Sequence, residues 1–266
     1  MSPSNHHPRR RLAIGLALSV GLLAAACGDD DDPGDATEDT AHHDTANPGT
    51  GGRRNLGTDM SDEACDSYVA LSSALAGDPS GIGAVVETFT AAAPGHLAEA
   101  AATVGAAYGA LSEGGDPSAF DDPDYVEAAS DIASAYIGGC STVDVLDVKG
   151  VDYGFEGIPD EVPAGRVGIR FTNATEHDEA HEMVLFRRNE GATEPVEELL
   201  GLPEEEAFAK LTMAGVVFAD HPDQEVNAMW DLEAGDYIAV CFIPTGGGED
   251  GPPHFVGGMV DEFKVS

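Results

Sequence analysis

The period of the apolar residues changes once along this chain, at Cys140. Before that point apolar side chains recur at helical spacing in Ala-rich segments cut by Gly and Pro; after it they alternate, as in half-buried strands. A chain that runs through one period and then the other predicts an α+β protein of two domains, helices first. At 266 residues it is long enough for both.

From Ser61 to Cys140 the spacing fits four helices in an antiparallel bundle. Ser61 is placed to cap the first, with Asp62 and Glu63 in its first turn where the helix dipole favours anions. Cys65, Tyr68, Ser72 and Leu75 share its face, and Gly77-Asp78-Pro79 ends it. The second runs from about Ser80 to Ala93, the third from His96 to about Leu111. Asp122 caps the fourth, and Pro123 takes its first position.

Beyond Cys140, Val143 and Val145, then Tyr153 and Phe155, then Val167, Ile169 and Phe171, then Met183 and Leu185 each read as one face of a strand. Glu194 to Met213 reads as a helical insertion, acidic on one face. Strand character returns at Val226–Trp230, at Tyr237–Cys241 and at Met259–Val265. The expected fold of residues 141–266 is a Greek-key β-sandwich of about seven strands.

The N-terminus carries the signals of export. Arg9, Arg10 and Arg11 precede an apolar run, Leu12 to Ala26, that is too short for a comfortable membrane span. Residues 1–26 therefore read as a signal peptide, and Leu23-Ala-Ala-Ala-Cys27-Gly28 resembles a bacterial lipobox. That resemblance implies a lipid on Cys27, more than one acyl chain for stable anchoring, and an extracytoplasmic protein held at the bacterial cell membrane. Residues 27–60 have almost no apolar side chains and read as a disordered acidic tether. With 12 basic against 49 acidic residues the formal net charge is -37. Nucleic acid is excluded as a partner, because it is bound through Lys and Arg on its phosphates. A basic redox partner protein suits that charge, and so does a plain solubilising surface.

Export also gives the four cysteines meaning, since disulfides persist outside the cytoplasm. With Cys27 lipidated, three remain. In an up-down-up-down bundle the start of the first helix lies beside the end of the fourth, which pairs Cys65 with Cys140 and leaves Cys241 free.

Cys241 opens the series Cys241-x12-His254-x4-Met259, and His181 stands upstream on a strand of its own. A thiolate, two imidazoles and a weak axial thioether suit a blue-copper electron-transfer centre. Taken singly, each residue also fits a plain role: a sandwich-edge histidine, a core methionine, a buried inert thiol.

Over roughly residues 142 to 266 the sequence is similar to a cupredoxin. Arg166-Val-Gly-Ile-Arg-Phe-Thr-Asn173 resembles the strand before the first copper histidine, and His181-Glu-Met-Val-Leu-Phe186 resembles the strand that bears it. Ala234-Gly-Asp-Tyr-Ile-Ala-Val-Cys241 resembles the strand ending in the thiolate, and His254-Phe-Val-Gly-Gly-Met259 resembles the rest of the ligand loop. The resemblance implies one copper ion held by His181, Cys241 and His254, with Met259 axial. It also implies an imidazole edge of His254 near the surface as the electron's exit. Two departures stand out: the twelve-residue loop is long and Gly-rich, and Glu182 replaces an Asn that would hydrogen-bond the thiolate. A carboxylate there is expected to repel it.

Function narrows accordingly to a lipid-anchored copper protein that transfers single electrons or holds copper, or to a metal-free interaction module on the same fold. No catalytic activity is expected, since a copper oxidase needs further histidines and His96, His177 and His221 are scattered.

Overall fold

The computed structural model describes residues 60–74, 76, 81–112, 117–120, 122–177, 179–247 and 251–266. The signal peptide, Cys27, nearly all of the tether and the Gly77-Asp78-Pro79 break lie outside the described residues.

Four helices come first: α1 (Asp62–Ala74), α2 (Ile82–Ala92), α3 (Ala98–Ser112) and α4 (Pro123–Gly139). The Ser61 hydroxyl accepts the Ala64 N–H at 3.2 Å, and Asp122 accepts that of Asp124 at 2.9 Å, so both capping residues satisfy N–H groups that a helix start leaves without partners. Consecutive helices pack on one another, and the Cys65–Cys140 disulfide joins the start of α1 to the end of α4. Alanine fills much of this core, but its centre is aromatic: Tyr68 lies 4.6 Å from Tyr136 and 6.2 Å from Phe89, ring centre to ring centre.

The strands follow as β1 (Asp144–Val151), β2 (Gly154–Glu156), β3 (Glu161–Val162), β4 (Gly165–Asn173) and β5 (His181–Arg188). Two short helices, α5 (Val196–Leu200) and α6 (Glu204–Lys210), then lead into β6 (Leu211–Ala219), β7 (Glu225–Leu232) and β8 (Gly235–Val240). One further helical turn, α7 (His254–Gly257), precedes β9 (Val260–Val265). The strands form two mixed sheets, β2-β1-β4-β7 and β3-β9-β8-β5-β6, in which β1 runs parallel to β4 and β3 to β9. Ile169, Phe171, Leu185, Val217, Trp230 and Ala239 are buried in the core that the two sheets share. Gly215 is required there, because a Cβ on it would stand 2.1 Å from the Trp230 ring.

Four expectations need correction. The described strands number nine, and the helical insertion ends at Lys210: Leu211–Ala219, partly assigned to the insertion, pairs with β5 along its length. On β1 the residues buried toward the core are Leu146 and Val148, while Val143 is 50% exposed and Val145 only half-buried, a register one residue away from the alternation first read. Finally, β4 and β5 are not half-buried. Val167, Gly168 and Ile169 are buried in succession, as are Met183 to Phe186, because both sheets are covered on their outer faces.

The covers differ. Outside the first sheet lie α1 and α4, which pack on β7, and Met229 of that strand is fully buried within the helical core. Arg166 of β4 also pairs with Asp66 of α1 at 2.5 Å. Outside the second sheet, Val196, Leu199 and Leu200 of α5 bury Val184, Phe186, Ile238 and Val240. Among the described residues, no helix is long and apolar enough to cross a membrane.

Candidate metal centre

His181 opens β5, Cys241 follows the last residue of the adjacent β8, His254 opens α7, and Met259 precedes β9. Strand pairing therefore delivers two of these residues to one end of the sandwich, and a loop returns the other two. All four are fully buried. Nδ1 of His181 lies 3.1 Å from Nδ1 of His254, which lies 3.5 Å from Sγ of Cys241, and the three donor atoms fall within 4.8 Å of one another. Met259 reaches the same place. A Cβ on Gly150 would meet the Met259 methyl and the His181 Cβ, both at 3.1 Å, so glycine on β1 leaves room for the cluster.

The long loop is pinned at both ends. Near the cluster, the His254 N–H donates to Ile243 at 2.8 Å and the Phe255 N–H to Cys241 at 3.0 Å. The Cys241 N–H donates to Met259 at 3.2 Å, the Met259 N–H to His254 at 3.1 Å, and the Thr245 N–H to Pro252 at 3.0 Å. Gly258, with φ 119°, makes the left-handed turn out of α7 into the last strand. The Gly-rich length of the loop thus does not loosen His254.

Electrostatics around the cluster are acidic. Burial pushes the Cys241 thiol up to about 12, and the nearby carboxyls of Glu182 and Glu179 add to the effect. Burial pushes His181 down to about 4, with the neighbouring His254 ring contributing, and lowers His254 against the opposing pull of Glu179. Without metal the site therefore holds a protonated thiol and two neutral imidazoles at neutral pH. Neutral imidazole is the form that ligates, and the thiol must release its proton to do so. Glu182 opposes the thiolate as expected, yet it has a second role: its Oε1 accepts the Phe242 N–H at 3.0 Å, fixing the chain just after Cys241. Burial raises its own carboxyl to about 7.

The donor set fits copper. Two imidazoles and a thiol converge, the Met259 methyl lies beside the same glycine as the His181 Cβ, and soft sulfur with imidazole selects copper over the hard cations that oxygen ligands prefer. The Nε2 atom of His181 is buried without a hydrogen-bond partner, which leaves that imidazole uncommitted on its far side.

No family model matches the chain, and neither does any curated protein. Solved structures do. Auracyanin A, a "blue" copper protein from Chloroflexus aurantiacus, is similar at 18% identity over 46% of this chain and 98% of that one, with a TM-score of 0.29. Rusticyanin from Thiobacillus ferrooxidans is similar at 17% identity over 48% and 80%, with a TM-score of 0.32. A multicopper oxidase is similar at 14% over 46% of this chain and 44% of its own, with a TM-score of 0.26. The strand domain is cupredoxin-like. At such identities and scores the comparisons record a likeness, and the strand order together with the His-Cys-His cluster carries the assignment.

Against the cupredoxin pattern, one expectation is overturned. His254 shows no imidazole edge to solvent: it is fully buried, with the Tyr153 ring edge-on at 5.2 Å and Glu179 against its Nε2. The other histidines stay apart. His96 is exposed; His177 and His221 are exposed beside Asp152 and Asp220. Glu179, Tyr153 and Gly150 are the neighbours that the sequence reading missed. For Glu179 a signal existed, since it precedes His181 by two residues and so falls on the same face of an extended chain.

Proposed function

We propose that this is a lipid-anchored, extracytoplasmic copper protein of bacterial type, binding one copper ion through His181, Cys241 and His254 with Met259 as the weak axial ligand. The observation that carries this reading is the fully buried convergence of two imidazole nitrogens and a lone thiol at one end of the sandwich. Bound copper would supply a one-electron couple; the protein's part is to fix the donors before the ion arrives, through the strands β5 and β8 and the pinned loop. The covered imidazole of His254 favours a site that keeps its ion over one that exchanges electrons through an exposed ring edge. The four helices are read as a bundle acting as scaffold, no catalytic role is assigned, and the acidic surface suits a basic partner protein.

A visible spectrum of the purified chain titrated with Cu(II), after confirming a free thiol, tests the reading. An intense blue thiolate-to-copper band is expected. The absence of any band from a folded protein with its thiol free would favour the metal-free interaction module, a reading supported by the protonated state to which burial holds Cys241.

A further inference from the structure

Glu179 sits in the connection between β4 and β5, outside the donor set, and yet reaches the ligand loop at Gly246 and the His254 that closes it. Its Oε1 accepts the Gly246 N–H at 2.7 Å, and its Oε2 stands 3.2 Å from Nε2 of His254, close but out of line for a good hydrogen bond. The backbone of Glu179 is itself held, because the buried Asn173 side chain donates to its carbonyl at 2.8 Å and to that of Ala219 at 3.3 Å. A fixed carboxylate therefore faces two donors that lie eight positions apart in the sequence, Gly246 and His254.

The choice of residue follows from that geometry. A carboxylate accepts at both oxygens, whereas Gln offers one acceptor and one donor and can satisfy only one of the two N–H groups. On the other side of the same ring, Nδ1 of His254 faces Nδ1 of His181 at 3.1 Å and the Cys241 sulfur at 3.5 Å. Two imidazole nitrogens at that separation need one proton between them. With His254 carrying its proton on Nε2, toward Glu179, its Nδ1 is a bare lone pair aimed into the cluster, and His181 donates from its own Nδ1. In this tautomer the buried His181 Nε2 is an acceptor without a partner rather than a donor without one, and His181 must give up its Nδ1 proton to bind a metal through that atom.

The geometry points to Glu179 as a positioning residue that sets the tautomer of His254 and clasps the ligand loop, so that His254 presents Nδ1 to the metal. A carboxylate on the outer nitrogen of a metal-bound imidazole fixes its orientation and raises its basicity, and removing such a partner typically costs 10–100-fold in metal affinity. The inference rests on the proposed role of His254 as a copper ligand, although its first test needs no copper.

Nitrogen-15 NMR of the metal-free chain reads which ring nitrogen of His254 bears the proton. The proton is expected on Nε2 in the parent and in Glu176→Gln, a change at an exposed neighbour, and is expected to shift toward Nδ1 in Glu179→Gln and Glu179→Ala. Cu(II) affinity should then fall about 10–100-fold in Glu179→Gln, and Glu179→Asp should restore part of the loss. A parent protonated on Nδ1, or a tautomer unchanged in Glu179→Gln, overturns the clasp whether or not copper binds. A parent that binds no Cu(II) but shows the tautomer shift sinks the copper reading and leaves the clasp standing.

Discussion

The two cysteine-bearing regions of this protein treat sulfur in opposite ways. In the helical half, Cys65 and Cys140 are spent on a covalent link across a sequence separation of 75, closing a core rich in alanine that buries little area per residue. In the strand half, Cys241 is kept as a free, buried thiol, and hydrogen-bonded backbone does the organising. The contrast teaches that order in the first region is held largely by a cross-link, while in the second it is set by strand register and leaves a donor available.

Breaking the link tests one side of that contrast and carries the largest expected effect. The double variant Cys65→Ala, Cys140→Ala should lose about 4 kcal/mol of stability by the chain-entropy account, read from denaturant unfolding, while Cu(II) binding in the strand domain stays within a factor of about two. An equal loss of copper binding would mean that the two regions are one cooperative unit. Removing the other sulfur should do the reverse: Cys241→Ser is expected to abolish the blue band and weaken Cu(II) by at least about 100-fold, near 3 kcal/mol, with helical unfolding unmoved. Retention of parent-like copper binding would remove Cys241 from the site.

The next effect is on pH and concerns the metal-free protein. Glu182 is pushed up to about 7 from an ordinary 4.5, so the folded state holds its proton more tightly than the unfolded chain does. Its contribution is favourable below the unfolded value and is lost as pH rises from about 4.5 through about 7. His181, pushed down to about 4 from 6.5, has the opposite sign, and its contribution is lost as pH falls through that range. Between 4.5 and 6.5 the two slopes oppose each other. Glu182→Gln should uncover the His181 slope, with stability rising by up to about 1.4 kcal/mol per pH unit toward pH 6.5; an unchanged profile in urea melts across that range would show that Glu182 does not titrate there. The smallest change is expected from Met259→Leu. Volume is nearly conserved, so stability should move by less than about 1.5 kcal/mol, the blue band should persist, and voltammetry should find a shifted potential because the axial bond is weak.

Much of the frame was legible in the chain. Ser61, Asp122 and Pro123 mark helix starts by chemistry local to a few residues, and the structure has α1 and α4 begin beside them. The candidate ligands His181, Cys241, His254 and Met259 could be named because each stands in a recognisable local context, and the structure brings His181, Cys241 and His254 together. What the sequence hid was long-range. Val143 and Val145 alternate correctly with the wrong face inward, because the neighbouring Leu146 and Val148 are the residues that β1 turns into the sandwich core. Leu211–Ala219 carries apolar residues on both faces, since the insertion packs behind it, and so lacks strand alternation. Glu179 was one acid among 49 acidic residues, marked in the sequence only by its place two residues before His181; that it reaches His254 and Gly246 depends on where the β4–β5 connection carries it.

The meeting of Met60, Cys65 and Cys140 at one spot has a consequence for how such a chain could change. The Met60 N–H donates to the carbonyl of Gly139, so the polypeptide enters the helical region and leaves it at the same doorway. Topologically the four helices are an outgrowth on a stem, an excursion that could be shortened, enlarged or exchanged without rerouting any strand. Among the described residues, Met229 is the strand residue buried within the helical core, and excising the outgrowth should demand a polar residue there to keep the bared sheet from seeking another copy of itself.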